Sequence, residues 1–510
     1  MVASIVKGRA RAIMVLGTGS DVGKSMLVAA LCRLLADSGV RVAPFKAQNM
    51  SLNSAATPEG LEIGRAQALQ AHAARIAPSA DMNPVLLKPG SHTRAQAVVQ
   101  GHVAGHVDAS DFGGRTRERF WPAVVASYAR LARAYDVIVL EGAGSAAEIN
   151  LRDGDIVNMA MAHEADARCL LLADIDRGGV FASIYGTLAL LDARDRERID
   201  AFAINKFRGN LDLLMPGIEA IEARVGSRCL GIIPHAGVLQ LDEEDGVAME
   251  RRVRRERWRS PRTDAALRIA VVPLPHLANF TDFDALALEP SVDLRYTDDE
   301  PEVLEADIVM VPGSKETTAD LVWLRARGLE PALRWIARER VLVGICGGLQ
   351  MLGQAIDDPY AIESGGSLQG LGLLDLRTSF APEKVTTLVR GTDVELNISF
   401  EGYEIHVGRT DYGKAVRPFS TIVRNGENRG LRDGAISDDG RIVGTYVHGI
   451  FACDSFRHAW IERQRARAGL TPMERAVNFQ QDRERALDRW AALVRASLDL
   501  RGLLPEIANA

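Results

Sequence analysis

Cys346 and His448 are the residues of this chain best placed to do covalent chemistry. Cys346 lies in "VLVGICGGLQMLG", Val341 to Gly353, where an apolar run reads as a buried strand and Leu349, Met351 and Leu352 open a helix. Gly344, Gly347 and Gly348 crowd the intervening turn with side chains too small to obstruct it. That arrangement suits a strained strand-to-helix bend that holds a nucleophile clear of the backbone. A thiol there faces a helix N-terminus, whose partial positive charge favours thiolate, and the amides after Cys346 can hold an oxyanion. A later apolar strand, Ile442 to Val447, delivers His448 to a turn, where an imidazole can serve the thiol as base. His406 competes for that role. The turn specifies a nucleophile without specifying its reaction.

A second chemical signature lies near the start. Ala12 to Leu16 is a short apolar strand running into "GTGSDVGKS", and "MLVAALCRLLADSG" then has a helical pattern. Strand, glycine loop and helix in that order let backbone amides and a helix N-terminus face phosphates. The loop contributes Gly17, Thr18, Gly19, Ser20, Asp21, Val22, Gly23, Lys24 and Ser25. Lys24 would neutralise phosphate charge, and Ser25 would bind a metal ion. A strict GxxxxGK[ST] loop needs glycine where Thr18 stands. Val137 to Leu140 is a strand ending in Glu141, the place for a magnesium-directed acid.

The elements that position these groups alternate. Apolar strands at 40–45, 137–140, 169–173, at the apolar start of 201–209 and at 230–233 are separated by helical stretches, and polar residues follow successive strand ends. Lys46, Gln48, Asn49, Ser51 and Asn53 follow one strand, Asp174 and Asp176 another, and Asn205 and Lys206 a third. Such a series specifies a doubly wound sheet with one ligand-binding edge. The pattern restarts at Leu267 to Pro273, Asp307 to Pro312 and the Cys346 strand. The expected division is therefore residues 1–240, a charged solvated linker at 241–266, and a second α/β domain at 267–510 that ends in an amphipathic helix, Ala476 to Leu498. At 510 residues the chain is too long for one ordinary core, which agrees with two.

Composition narrows the function classes. A net charge of −6 argues against a nucleic-acid partner, and the basic run Arg251 to Arg262 is interleaved with acids. No apolar run reaches membrane-spanning length and no apolar leader opens the chain, so the expectation is a cytoplasmic protein without a membrane partner. The five cysteines include no CxxC pair, so neither a disulfide framework nor a zinc site is indicated.

Longer strings carry a resemblance. "GICGGLQML" and "YVHGIF" make the second half similar to class I glutamine amidotransferase domains, which have a flavodoxin-like fold. The first half resembles the dethiobiotin synthetase-like P-loop enzymes, whose loop G-T-x-[ST]-x-x-G-K-[ST] accommodates Thr18. With "KAQNMSLNSA", "EIGRAQALQA", "DMNPVLLKP", "DIDRGGVFAS", "INKFRG" and "GYEIHVGRT", essentially the whole chain resembles the cobyric acid synthase family.

The resemblance implies ATP- and magnesium-dependent amidation of the b, d, e and g carboxylates of adenosylcobyrinic acid a,c-diamide, with L-glutamine as nitrogen donor. In that reading Cys346 forms a thioester with glutamine, His448 moves protons, and the amides of Gly347 and Gly313 hold the oxyanion. ATP lies on Gly17 to Ser25 with Asn205 and Lys206. Magnesium lies on Ser25 and Glu141, and Lys46, Gln48, Asn49 and Asp176 face phosphate or substrate. The usual triad places Glu two residues after the His, where this chain has Ile450. The group orienting His448 is thus left open, with Asp454 and Glu404 as candidates. Cobyrinic acid a,c-diamide synthase is the nearest alternative, and the "QNMSLNS" loop speaks against it. A ParA/MinD-like ATP switch with a degenerate second domain is the alternative of another class, opposed by the intact Cys346 and His448. Oligomeric state is not legible.

Overall fold

The computed structural model describes residues 10–90, 94–108, 114–237, 241, 258, 266–414, 416–472 and 477–507. The chain divides into two compact units, one of Met1–Ser51, Ile63–Asp242 and Arg483–Ala510, the other of Leu52–Glu62 and Glu243–Asp482. This differs from the expected division in two places. Residues 52–62 join the second unit, and the chain from Arg483 onward joins the first. Most of 241–266 lies outside the described residues. Trp258 within it is buried in the second unit's core, so the stretch is not solvated throughout.

The first unit is built on a parallel sheet. Its strands are β1 (Arg11–Gly17), β2 (Val42–Phe45), β3 (Val137–Glu141), β4 (Arg168–Asp174), β5 (Ile199–Phe207) and β6 (Arg228–Pro234). They lie in the order β6-β5-β4-β1-β3-β2, every neighbouring pair parallel. Ile13, Met14, Val15 and Leu16 of the central strand are fully buried, because helices cover both faces of such a sheet. Helix α1 (Lys24–Asp37) follows β1 directly and packs Leu27, Leu31 and Leu35 into that core.

The amphipathic helix expected near the C-terminus spans Phe479–Ser497. Its Leu487, Trp490 and Val494, with Leu498 just beyond, are buried in the core that holds α1. Trp490 Nε1–H donates to the Met26 carbonyl at 2.7 Å, and the fully buried Arg33 donates to Glu484 at 2.6 Å.

The second unit has its own parallel core sheet. Strands β7 (Leu267–Val271), β8 (Val292–Tyr296), β9 (Ile308–Val311), β10 (Val341–Ile345) and β13 (Ile442–Thr445) run in the order β8-β7-β9-β10-β13, and a short antiparallel strand, Ala435–Ile436, closes the edge. Not foreseen is a second, largely antiparallel sheet around a long hairpin, β11 (Leu376–Asp393) with β12 (Ser399–Tyr412). "GYEIHVGRT" lies on β12.

Candidate active site

Cys346 sits between β10 and the short helix Gly347–Leu352 with φ 52° and ψ −106°, a conformation that costs a residue with a side chain about 1–3 kcal/mol. Its glycine neighbours make the bend possible. A Cβ on Gly344 would lie 2.7 Å from the Gly348 carbonyl carbon, and one on Gly348 would lie 2.0 Å from the Val311 oxygen. The thiol is buried, with Sγ 3.7 Å from the Ile405 oxygen. Burial pushes the thiols of Cys32, Cys169 and Cys229 up, which disfavours thiolate at those three positions.

His448 meets this sulfur. The imidazole is hydrogen-bonded to Cys346 and stacks on Tyr403 with ring centres 5.3 Å apart. The missing third group is Asp282. His448 Nδ1–H donates to Asp282 Oδ2 at 2.7 Å, and the Gly449 amide donates to Asp282 Oδ1 at 2.9 Å. Burial alone would lower the His448 pKa, but Asp282 and the Cys346 sulfur outweigh it and raise it to about 10. His448 and Asp282 are both almost fully buried, so little solvent screens the pair.

Neither earlier candidate for this position reaches His448. Asp454 accepts from Arg457 at 2.7 Å and from the Phe479 amide at 3.0 Å. Glu404 accepts from Arg424 at 2.6 Å and pairs with His406 at 3.3 Å; burial works against its ionisation, yet these two partners bring its pKa down to about 2. His406 is thereby committed to Glu404 and to a stack on Tyr446.

Gly313 lies in a two-stranded ladder opposite Ala278. A Cβ there would come 3.1 Å from His448 Cε1, 3.2 Å from the Ala278 oxygen and 3.8 Å from Cys346 Cβ. Gly313→Ala therefore presses a methyl group onto the imidazole. Overpacking of this kind costs about 1–3 kcal/mol, and glutamine hydrolysis is expected to fall by about tenfold as the ring shifts. Steady-state glutaminase assays on the purified variant measure it.

In the first unit the Gly17–Ser25 loop wraps back onto its own lysine. Lys24 Nζ donates to the carbonyls of Gly19 at 2.8 Å and Gly144 at 3.0 Å. Thr18 bridges to Ser145 and donates its amide to the Leu172 oxygen without a positive φ, so glycine is not required there. Gly23 is required: its φ is 101°, and a Cβ would sit 2.3 Å from Asn205 Nδ2. Asn205 Nδ2 donates to the Val22 oxygen at 2.9 Å, and Lys206 Nζ reaches the Asp21 carbonyl at 2.5 Å and Asp174 at 3.0 Å. Both residues thus brace the loop from β5.

Ser25 Oγ and Lys46 Nζ each donate to Glu141 Oε1 at 2.8 Å, and Gln70 Nε2 donates to Oε2 at 2.5 Å. Asn49 is buried and donates to Gln67, whose own amide lies 3.5 Å from Glu141. Gln48 is half-buried on the short strand Gln48–Met50. Asp176 is largely exposed and pairs with Arg208 at 3.3 Å. Asn53 is not in this unit at all. Asn158, overlooked in the sequence, clasps the loop after β3: its Oδ1 accepts from the Ala143 amide and its Nδ2 donates to the Ala143 oxygen.

Ser25 and Glu141 offer only oxygen donors, a pair that fits magnesium, which takes its remaining ligands from phosphate and water. Among the described residues no cluster of three or more His, Cys, Asp or Glu could hold a metal ion. Among those residues no helix is long and apolar enough to cross a membrane.

Residues 13–245 match the family described as the CobQ/CobB/MinD/ParA nucleotide binding domain, and residues 268–456 match the CobB/CobQ-like glutamine amidotransferase domain. Fold and comparison together define a glutamine-dependent amidoligase, a nucleotide-binding unit and an amidotransferase unit in one chain. The chain is 48% identical to a curated protein named cobyric acid synthase from Citrobacter koseri and 48% identical to one so named from Yersinia enterocolitica, each over 96% of this chain and 97% of the relative. The chain belongs to the cobyric acid synthase family. A solved glutamine amidotransferase structure, 17% identical, aligns over 39% of this chain and 98% of its own with a TM-score of 0.30.

Proposed function

We propose that the chain amidates the b, d, e and g carboxylates of adenosylcobyrinic acid a,c-diamide, using ATP and ammonia released from L-glutamine. The observation that carries the reading is the buried Cys346, His448 and Asp282 series in the same chain as a phosphate-binding loop. The "QNMSLNS" loop supports this substrate over the earlier cobyrinic acid.

Cys346 Sγ attacks the glutamine amide carbon. The amides of Gly347 and Gly313 hold the oxyanion, His448 protonates the departing ammonia, and water then releases glutamate from the thioester. Asp282 holds the imidazole in the tautomer whose Nε2 faces the sulfur. In the first unit the Gly17–Ser25 loop cradles ATP phosphates on its amides, and Lys24 leaves its loop carbonyls for them. Asn205 and Lys206 keep the loop in shape beneath the nucleotide, and Gln48, Asn49 and Asp176 meet phosphate or substrate. Ser25 and Glu141 would hold magnesium, which would supply charge neutralisation at the phosphates, and Lys46, paired with Glu141, lies beside them to meet phosphate or carboxylate. Transfer of the terminal phosphoryl group to a corrinoid carboxylate gives ADP and an acyl phosphate, and ammonia displaces inorganic phosphate to give the amide.

Purified protein incubated with ATP, magnesium, glutamine and the diamide should yield the fully amidated product by mass spectrometry. Amidation of cobyrinic acid at a and c, with none of the diamide, would overturn the substrate assignment. Lys24→Ala is expected to lower amidation by about 10²- to 10³-fold with either glutamine or ammonium chloride, the scale for one preorganised donor to a transferring phosphoryl group. ADP release followed with a coupled assay measures that loss.

A further inference from the structure

The turn that carries Asp282 is held by residues from far upstream. Asn53 Oδ1 accepts from the Phe280 amide at 3.2 Å, and Asn279 Oδ1 accepts in return from the Ser54 amide at 2.9 Å. The Asn279 carbonyl also accepts from the Asp282 amide at 3.0 Å. Asn279 adopts φ 57°, which asparagine tolerates better than most residues. Asn53, Ser54 and Asn279 are each at least nine-tenths buried, where an unmade hydrogen bond is costly. On the other side of the centre, Ala56 packs with Tyr403 and Ile405. Tyr403 stacks on the His448 ring and exchanges backbone hydrogen bonds with His448, while the Ile405 oxygen faces Cys346 Sγ. The segment 53–56 is anchored beyond this point. Ser54 Oγ donates to Glu62 at 2.8 Å, and Lys384 pairs with the same carboxylate at 2.5 Å.

Two independent contacts therefore lead from one short segment to the two walls of the Cys346 and His448 site. We infer that residues 53–56 are a positioning strap of the glutamine-hydrolysing centre, with Asn53 the positioning residue that aims Asp282 at His448. The inference rests on the reading of Cys346 and His448 as that centre. Asn53 is hydrogen-bonded to the turn that carries Asp282. It acts through the Phe280 amide and the Asp282 turn.

Asn53→Ala removes the acceptor while leaving the backbone path, and misplacement of a supporting group by a fraction of an ångström lowers the rate by about tenfold. The expected result is that kcat for glutamine hydrolysis falls by about that factor while KM for glutamine changes by less than about twofold. Amidation driven by ammonium chloride should fall by clearly less than glutamine hydrolysis does. Asn53→Asp keeps an acceptor oxygen for the Phe280 amide and should restore most of the loss, which separates lost positioning from lost folding. A wild-type kcat in Asn53→Ala, an equal fall in ammonia-driven amidation, or no recovery in Asn53→Asp would each overturn the inference. NMR of protein labelled with ¹⁵N-histidine reads the His448 Nδ1–H bond to Asp282 whatever reaction the centre runs. A displaced Nδ1 resonance in Asn53→Ala supports the strap, and an unmoved one overturns it. Failure of the wild type to hydrolyse glutamine, with the resonance displaced, would count against the functional reading alone.

Discussion

Replacing Cys346 by alanine is expected to abolish glutamine-driven amidation, with a fall on the order of 10⁶-fold in kcat for glutamine hydrolysis, the scale for deleting a covalent nucleophile. Amidation driven by free ammonium should continue. The reason lies in how the thiol is held. Cys346 occupies a bend built from glycines, and the substitution removes one sulfur atom from a buried site without disturbing those contacts. In the proposed scheme acyl phosphate formation uses none of these groups, so added ammonia should bypass the defect. Mass analysis of product formed with each nitrogen source tests this, and undiminished use of glutamine would overturn the role of Cys346.

Asp282→Asn should have the next largest effect, about 10⁴-fold in kcat for glutamine hydrolysis, the scale seen when an imidazole is turned to the wrong tautomer. Asp282 accepts from both His448 Nδ1–H and the Gly449 amide. An asparagine that keeps its oxygen on Gly449 offers its NH₂ to Nδ1, so Nδ1 becomes the acceptor. Nε2 then carries the proton and cannot take one from Cys346. The substitution also removes the charge that offsets the cost of burying the imidazolium. His448 is raised from 6.5 to about 10 in the folded protein, so its pair with Asp282 contributes stability that is complete below pH 6.5 and is lost as pH rises through about 10. The Tm difference between wild type and Asp282→Asn should therefore be widest below pH 6.5 and narrow toward pH 10. Thermal unfolding across that range measures it, and a gap independent of pH would remove the charge from the explanation.

These two residues mark what the sequence could and could not disclose. The bend at Cys346 was legible because its determinants are local: a strand, three glycines and a helix stand within a dozen residues. The phosphate-binding loop was legible for the same reason. Asp282 was not, because its partner follows it by 166 positions and no spacing links them. The sign that could have raised it is a short polar turn soon after the first strand of the second α/β unit, where a parallel sheet gathers its functional groups. Asn53 was misplaced for a related reason. Its polar setting marked a contact loop, but nothing within ten residues tells which unit it enters. The long hairpin escaped because the alternation expected of a half-buried strand survives only toward the ends of β11 and fades in its middle.

The C-terminal helix had a readable apolar face and an unreadable destination. Its consequence concerns synthesis. Trp490 and its neighbours complete the core around α1, so the nucleotide-binding unit has its full interior only after the ribosome has added roughly 240 further residues beyond Asp242. At synthesis speeds of about 5–20 residues per second that wait is on the order of 10 to 50 s. The amidotransferase unit, whose segments lie between these ends, can close first. The half translated earliest is thus the last to mature, and a gene cut between the halves would leave each product lacking a piece that the other carries.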